Sequence, residues 1–576
     1  MAVLLANGTL AIRLDQFGRV SSLSFPHVGR EVQNHQAVHR IGVWVDGEFS
    51  WIDDGAWRLT MRLPQGALVA HTVLKHERLG LVLECDDFVD SKVNVFGRNI
   101  HVVNLRTETR QVRLFLHQAF RLHDDGQAID SAQYVEASRA LLHYRGRRVF
   151  AAGLRTFDGR DFDRWTVGRF GDGLDGAWRD AEDGELAGCP HEYGMTDSVL
   201  GCSLRLAALA SDRCTYWLAA GTSIKEALGL HEKTRSVGLV RSLARTTDFW
   251  HKWLSPGFRA AQKLPLPHRK AFINSLLTLR AHTDESGLVL TDDAVGNCRL
   301  YDAAFALWPL IRLGYGDEAA MFFEACRRIF ETDGYFAPAY YTDGEPVATD
   351  TAWRQDRPPM RLRDAAAVLF IFCQFATSRV GAERSRQLYQ SVAAKVATFL
   401  TDNWDNPAAD DDAAFVWRLS RAALEQASEL AQQHDDPANA VQWRTCADDI
   451  STQLAGHDAD EMTMDAVYAA YMFGVEGEGE AERTGQLVNE ATQTLAVVDG
   501  LFKRRADDPD SSVVASLWLA QYYIETGELA RAERIVDLIR ERRIMKTGVV
   551  NEHSASSVVA SAEYINTLLD MIVAQR

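Results

Sequence analysis

The chain has 576 residues, 47% of them hydrophobic and 24% charged. That is ample apolar material for large cores, and it excludes disorder over most of the length. Lys and Arg number 62 against 79 Asp and Glu, a formal charge of −17, which argues against a nucleic-acid backbone or an anionic membrane surface as partner. A neutral substrate, or one that is not strongly anionic, suits this balance better.

The N-terminus, Met1-Ala2-Val3-Leu4-Leu5-Ala6-Asn7-Gly8, has no basic stretch before its short apolar run. It reads as a strand and a turn, not a signal peptide. The first ~220 residues alternate with period two, the mark of half-buried strands. Thr9–Leu14, Arg40–Val45, Phe49–Ile52, Leu79–Glu84 and Gln111–His117 follow this pattern. Asp46-Gly47 between two such runs is a hairpin-type turn. Short runs of this kind, broken by Gly, Asp and Asn, predict an antiparallel β-sandwich.

From about residue 223 the period becomes helical. One long helix is expected from Ile224 to Leu254, with Pro256 ending it. Twelve segments follow: Arg269–Ala281, Asp302–Leu313, Asp317–Phe330, Ala365–Thr377, Glu383–Leu400, Ala413–Gln433, Asn439–Leu454, Thr463–Met472, Glu480–Leu495, Val513–Thr526, Leu529–Arg540 and Ser554–Ile572. Twelve helices in pairs predict six helical hairpins closed into an (α/α)6 toroid; a solenoid is the alternative, but no fixed repeat period is visible. The expected division is a β-sandwich over 1–222, a helical linker over 223–262 and the toroid over 263–576.

No stretch reaches about 18 consecutive apolar residues, so no membrane-spanning helix is expected. Eight cysteines are scattered singly, without a Cys-x-x-Cys pair. They read as buried free thiols of a cytoplasmic protein. The sequon Asn7-Gly8-Thr9 carries little weight without a secretory signal. Metal-binding His-Glu-x-x-His patterns and glycine-rich phosphate loops are absent from the sequence, so no cofactor and no metal-ligand residues are expected; a structural calcium would leave no such pattern. Oligomeric state is not legible.

The residues resemble a family: the prokaryotic branch of glycoside hydrolase family 15, of glucoamylase and glucodextranase type. Asn7-Gly8, Phe17-Gly18-Arg19-Val20, Gly42–Gly47 and His143-Tyr144 look like its super-β-sandwich. Phe249-Trp250-His251-Lys252-Trp253 is similar to its aromatic junction. Arg299–Leu307 resembles its Trp-Pro-Arg-Asp-Ala-Ala segment, and Phe336–Tyr341 with Asp343-Gly344 the loop that follows. The shared order spans nearly the whole chain.

The resemblance implies inverting, exo-acting hydrolysis of an α-glucosidic bond, with a carbohydrate as partner. That reaction needs a protonated carboxyl to donate to the leaving oxygen and a carboxylate to activate water, about 6.5–9.5 Å apart. The family's Trp-Glu acid matches Trp404-Asp405, so Asp405 is the candidate acid. Its Gly-x-x-x-Glu base matches Gly548–Glu552, so Glu552 is the candidate base. Loops at one end of a toroid's inner helices share a funnel, and both residues lie in such loops. The shorter Asp widens the gap by about 1.5 Å, one C–C bond. For Asp405 the plain alternative is a helix N-cap or a solvated acid. For Glu552 it is an acid drawn to a helix N-terminus.

Further site residues follow from the same resemblance. Asp302 matches an Asp that binds sugar hydroxyls, where a carboxylate makes charge-assisted hydrogen bonds; its plain alternative is a helix N-cap. Arg504 matches an Arg near the same sugar. Arg361, Arg363 and Asp364 occupy a stretch where bacterial members carry Gln-x-Asp-Glu, and Asp364 is expected to face the funnel. Trp308, Trp353 and Trp417 are stacking candidates, although Trp308 lies on an apolar helix face that suits core packing. The chain also departs from the pattern. Tyr301 stands in place of an Arg, Arg299 in place of a Trp, and two late aromatics are missing. These changes put plain starch hydrolysis in doubt. They leave open a small α-glucoside such as trehalose or an isomalto- or malto-oligosaccharide, a glycan-binding protein without catalysis, or another reaction such as phosphorolysis. The cluster Arg299, Arg361, Arg363 and Arg504 would suit an acidic sugar.

Overall fold

The computed structural model describes residues 3–64, 66–124, 129–171, 173–347, 361–407, 412–456, 462–474, 479–552 and 557–575. Contacts divide the chain into two compact units, residues 1–254 and 255–576.

The first unit is built from antiparallel sheets of nine, six and four strands. Ala70–His76 alternates buried and half-buried positions without a break, the burial counterpart of its period-two sequence. Arg40–Val45 pairs with Glu48–Trp51, Val45 opposite Glu48. The turn between them holds Asp46 at φ 54° and Gly47 at φ 82°, the two left-handed residues of a type I′ hairpin. Asn7 donates its side-chain amide to the carbonyls of Asp90 and Val93, so the sequon amide is engaged inside the fold. All eight cysteines are unpaired, and all but Cys189 are buried.

Among the described residues this unit has three α-helices: α1 (Ala177–Asp180), α2 (Ile224–Val237) and α3 (Leu239–Trp253). The single long helix expected from Ile224 to Leu254 is therefore two helices. Gly238 divides them at φ 85°, a conformation that only glycine adopts without strain. Both helices pack on the nine-stranded sheet.

The second unit opens with α4 (Ser255–Ala261). Pro256 lies in its first turn, so it starts this helix instead of ending the previous one. A first-turn proline forfeits only an N–H that has no helical partner anyway. There follow α5 (Leu266–Ala281), α6 (Leu300–Leu313), α7 (Gly316–Asp333), α8 (Leu362–Thr377), α9 (Ala382–Leu388), α10 (Ala394–Asn403), α11 (Ala413–Gln433), α12 (Pro437–Ala455), α13 (Met464–Met472), α14 (Glu480–Thr494), α15 (Val513–Glu525), α16 (Leu529–Arg542) and α17 (Ser557–Ala574). The expected helix Glu383–Leu400 is split by a π-turn over Tyr389–Ala393, where the Tyr389 hydroxyl donates to Asp436 at 3.1 Å.

Helices α6, α8, α11, α13, α15 and α17 form the inner ring. Each touches the next, and α17 returns to touch α6. That last contact closes the toroid and separates it from a solenoid. Around the ring, α12 packs on α11, α14 on α13, α16 on α15 and α5 on α17. Inner helices such as α8 and α15 are buried on almost every face, which is why their sequences are apolar all round. Each fully buried Leu or Phe contributes about 1.5–3 kcal/mol.

Four outer-to-inner connections are copies of one hairpin. In the first, Asp284 N–H bonds Leu288 C=O, Gly287 N–H bonds Asp284 C=O, and Leu290 N–H bonds His282 C=O. The same three hydrogen bonds recur from Tyr341, Val497 and Met545, with Gly344, Gly500 and Gly548 in the place of Gly287. The four glycines have φ between 78° and 97°. Each hairpin reverses the chain between an outer helix and an inner one (α5–α6, α7–α8, α14–α15, α16–α17), so the inner N-termini share one end of the ring.

Candidate functional site

The end of the ring that carries the inner N-termini gathers most of the sequence-derived candidates. Helix N-termini present unpaired N–H groups and a positive dipole end, so carboxylates collect there.

Glu552 follows the hairpin that enters α17. Its Oε2 accepts from Val513 N–H at 2.7 Å and Val514 N–H at 3.1 Å. Ser512 caps the same helix, its hydroxyl accepting from Ala515 N–H. Glu552 is 7% exposed, and Oε1 is buried without a hydrogen-bond partner among the described residues. Burial pushes the Glu552 carboxyl above its ordinary value, against the pull of the Val514 and Val513 N–H groups and of the nearby Ser512 hydroxyl.

Asp302 and Tyr301 lie in the first turn of α6. The helix begins at Leu300, with Arg299 at the cap position and no side-chain cap, so Asp302 is not an N-cap. It is half-buried. Burial raises its pKa, and Arg363 and Arg504 oppose that rise. Tyr301 N–H donates to Asp364 Oδ1 at 2.7 Å. Asp364 is 6% exposed. Burial pushes it up to about 7, opposed by that N–H bond and by Arg363. Burial likewise pushes the Tyr301 hydroxyl up to about 12.

The arginines are bound to a carboxylate that the sequence did not single out. Asp465, in the first turn of α13, receives Arg504 Nε at 2.6 Å and Nη2 at 2.5 Å. Met464 N–H donates to the Arg504 carbonyl at 2.9 Å, so Arg504 fastens its loop to α13 through side chain and backbone. Arg363 Nη2 stands 3.6 Å from Asp465 Oδ1. Its guanidinium lies 4.1 Å from the Tyr301 ring centre and 4.5 Å from that of Phe415. Burial alone would raise the Asp465 pKa, but Arg504 and then Arg363 hold it below the ordinary carboxylate value. Arg504 also lies over the Trp518 ring at 5.3 Å. The only sequence signal for Asp465 is its place two residues after Thr463, the N-cap of α13. That pattern is common to many helix starts.

Asp405 sits in the turn after α10 and is exposed. The N-cap of α11 is Asp412, whose Oδ1 accepts from Phe415 N–H, so the capping alternative does not apply to Asp405. The Trp404 carbonyl accepts from Trp417 Nε1 at 3.1 Å, which ties the Trp404–Asp405 turn to an inner helix. Arg299 is exposed, 3.6 Å from Asp292. Arg361 is half-buried at the start of α8. Trp308 packs against Phe305 and Phe370, as its apolar helix face suggested. Trp353 lies outside the described residues.

Asp302, Tyr301 and Asp364 are thus brought together with Arg363 and Arg504, the two arginines that Asp465 pairs. Arg363 and Arg504 face a protein carboxylate, which compensates part of the positive charge that hinted at an acidic sugar. No group of three or more His, Cys, Asp or Glu able to hold a metal occurs among the described residues. Nor is any helix among them long and apolar enough to cross a membrane.

No protein-family model matches the chain, and no curated protein matches it. Among solved structures it is similar to a bacterial glucoamylase complexed with acarbose, with TM-score 0.76 and 14% identity, covering 99% of this chain and 94% of that one. It is also similar to a putative kojibiose phosphorylase from the human microbiome, with TM-score 0.59 and 9% identity, covering 98% and 86%. At these identities the likeness establishes the fold: a β-sandwich unit followed by an (α/α)6 toroid, as in glucoamylase.

Proposed function

We propose that the chain is a carbohydrate-active enzyme, an inverting exo-glycosidase of a small α-glucoside. Glu552 is the base, Asp405 the acid, and Asp302 the acceptor of sugar hydroxyls. The observation that carries this reading is the division of labour within the Glu552 carboxylate. One oxygen is anchored by two backbone N–H groups at the start of α15. The other is buried with no protein partner among the described residues. An unpaired buried acceptor costs about 1–3 kcal/mol and asks for a functional reason.

In this mechanism the unpaired Oε1 takes a proton from water as that water attacks the anomeric carbon. Oε2 stays fixed, so the base does not swing. Asp405 gives its proton to the leaving glycosidic oxygen. Its exposure means that bound substrate itself must cover it for the transfer to take place away from bulk water. Asp302 supplies hydrogen-bond acceptors that distinguish a sugar from water. The experiment is a panel of maltose, isomaltose, trehalose and kojibiose, with the released anomer followed by NMR. Initial β-glucose that is lost in Glu552→Gln supports the reading, and no turnover of any member rejects it.

One observation favours a second reading, a glycan-binding toroid without catalysis: the candidate acid is a shortened side chain at an exposed turn. Binding by calorimetry in the absence of any turnover would select it.

A further inference from the structure

We infer that Asn274 positions Glu552, acting through the hairpin that carries it. The inference rests on Glu552 being the base.

The hairpin that starts at Met545 is held at two places. At its base, Asn551 N–H bonds the Arg543 carbonyl at 2.8 Å. Arg543 Nη2 donates in turn to Asp499 Oδ2 at 2.9 Å and to the Ser511 hydroxyl. At its tip, Asn274 from α5 donates Nδ2 to the Thr547 carbonyl at 2.7 Å. Asn274 is 0% exposed. The neighbouring Gly548, at φ 83°, lies so close that a Cβ there would stand 2.2 Å from Asn274 Nδ2. The amide therefore packs against Gly548 with no room for a side chain between them, and its hydrogen bond holds the tip to α5. Asn274 Oδ1 and Thr547 Oγ1 are both buried without partners among the described residues. The contact thus keeps unsatisfied polar atoms inside the protein, which packing alone does not require.

Glu552 is the residue that leaves this hairpin. Its two hydrogen bonds to α15 span from one inner helix's entry loop to the next helix. Their geometry depends on where the tip pins the loop. Because the base of the hairpin is anchored independently through Arg543, losing the tip contact loosens Glu552 without detaching the loop. A misplacement of about 1 Å at a reacting group costs on the order of 100-fold in rate.

The test uses the full chain and the α-glucoside that the wild type turns over. Asn274→Ala, Asn274→Asp (nearly isosteric, without the donor) and Gly548→Ala attack the contact from both sides. Ser286→Ala is the control. It removes two hydrogen bonds, from Ser286 to the Thr342 carbonyl and from Leu288 N–H to the Ser286 hydroxyl, in sister hairpins that do not carry Glu552. The expected result is a kcat 30- to 100-fold lower in the three variants, KM within threefold, and wild-type kinetics in the control. Unchanged kcat in folded variants overturns the inference while leaving the glycosidase reading intact. Unfolding of all three beside a folded control also overturns it, since Asn274 would then be merely structural. A wild type without activity on any glucoside overturns the reading of Glu552 itself, and the inference with it.

Discussion

Arg504 and Glu552 occupy the same position in two copies of one hairpin. Each stands seven residues after the hairpin's first residue, Val497 in one copy and Met545 in the other. Each reaches from its own loop to the N-terminus of a neighbouring inner helix: Arg504 to Asp465 on α13, and Glu552 to Val513 on α15. One backbone device thus delivers a cation at one inner helix and a carboxylate at the next. The corresponding residue of the hairpin before α6 is Thr291, whose hydroxyl accepts from Arg299 N–H.

Replacing Glu552 with Gln keeps the shape and an oxygen for the Val513 and Val514 N–H groups, but removes the base. Turnover of the wild-type substrate is expected to fall about 10³-fold, within the range for general base catalysis. Sugar binding by calorimetry is expected to stay within a few-fold.

Asp465 compensates Arg504 and Arg363 at once. Asp465→Ala leaves two guanidinium groups without their carboxylate. The expected cost is about 3 kcal/mol, near the lower end for breaking a buried pair, because Arg504 keeps part of its side chain in solvent. Urea denaturation measures it. In a double-mutant cycle with Arg504→Ala, the two losses should be strongly non-additive.

Acid should unfold the β-sandwich unit through its histidines. His39 and His143 are buried, and desolvation lowers both to about 3 from 6.5. Between these values the unfolded chain binds protons that the folded one does not, so stability rises with pH across that window. Thermal melts from pH 4 to 7 should show this slope. His143→Gln should flatten it, the amide being unable to take up a proton in either state.

Asp364 predicts the opposite slope. Burial holds it at about 7 against an ordinary 3.8, so between those values the folded chain binds the extra proton. Its contribution to stability is present below about 3.8 and is lost as pH rises through 7. Asp364→Asn keeps the acceptor for Tyr301 N–H and has no charge to bury. Its melting temperature relative to wild type should therefore climb from pH 5 to pH 8, and a flat difference would contradict the shift.

Much of the architecture was legible because periodicity reports burial. The Ala413–Gln433 helix has the limits expected from its pattern, and Asp46-Gly47 turns the chain where the dipeptide indicated. The break at Gly238 and the helix start at Pro256 are not legible in the local pattern, because the effect of either residue depends on which side of a helix boundary it falls. The repeated hairpin is not legible in the sequence because its identity resides in backbone hydrogen bonds. Apart from the glycine, its four copies share almost no side chains: Asp284-Glu285-Ser286, Tyr341-Thr342-Asp343, Val497-Val498-Asp499 and Met545-Lys546-Thr547.

The sequence by itself determined the two kinds of unit, the helix pairs and the presence of carboxylates near inner-helix starts, since these follow from local pattern and spacing. Only the tertiary structure decided that α17 meets α6 to close the ring. It also decided that Arg504 and Arg363 share Asp465, and that one oxygen of Glu552 is anchored while the other has no partner among the described residues. Those outcomes join residues far apart in the chain, and no local propensity encodes which distant N-terminus a charged side chain will reach.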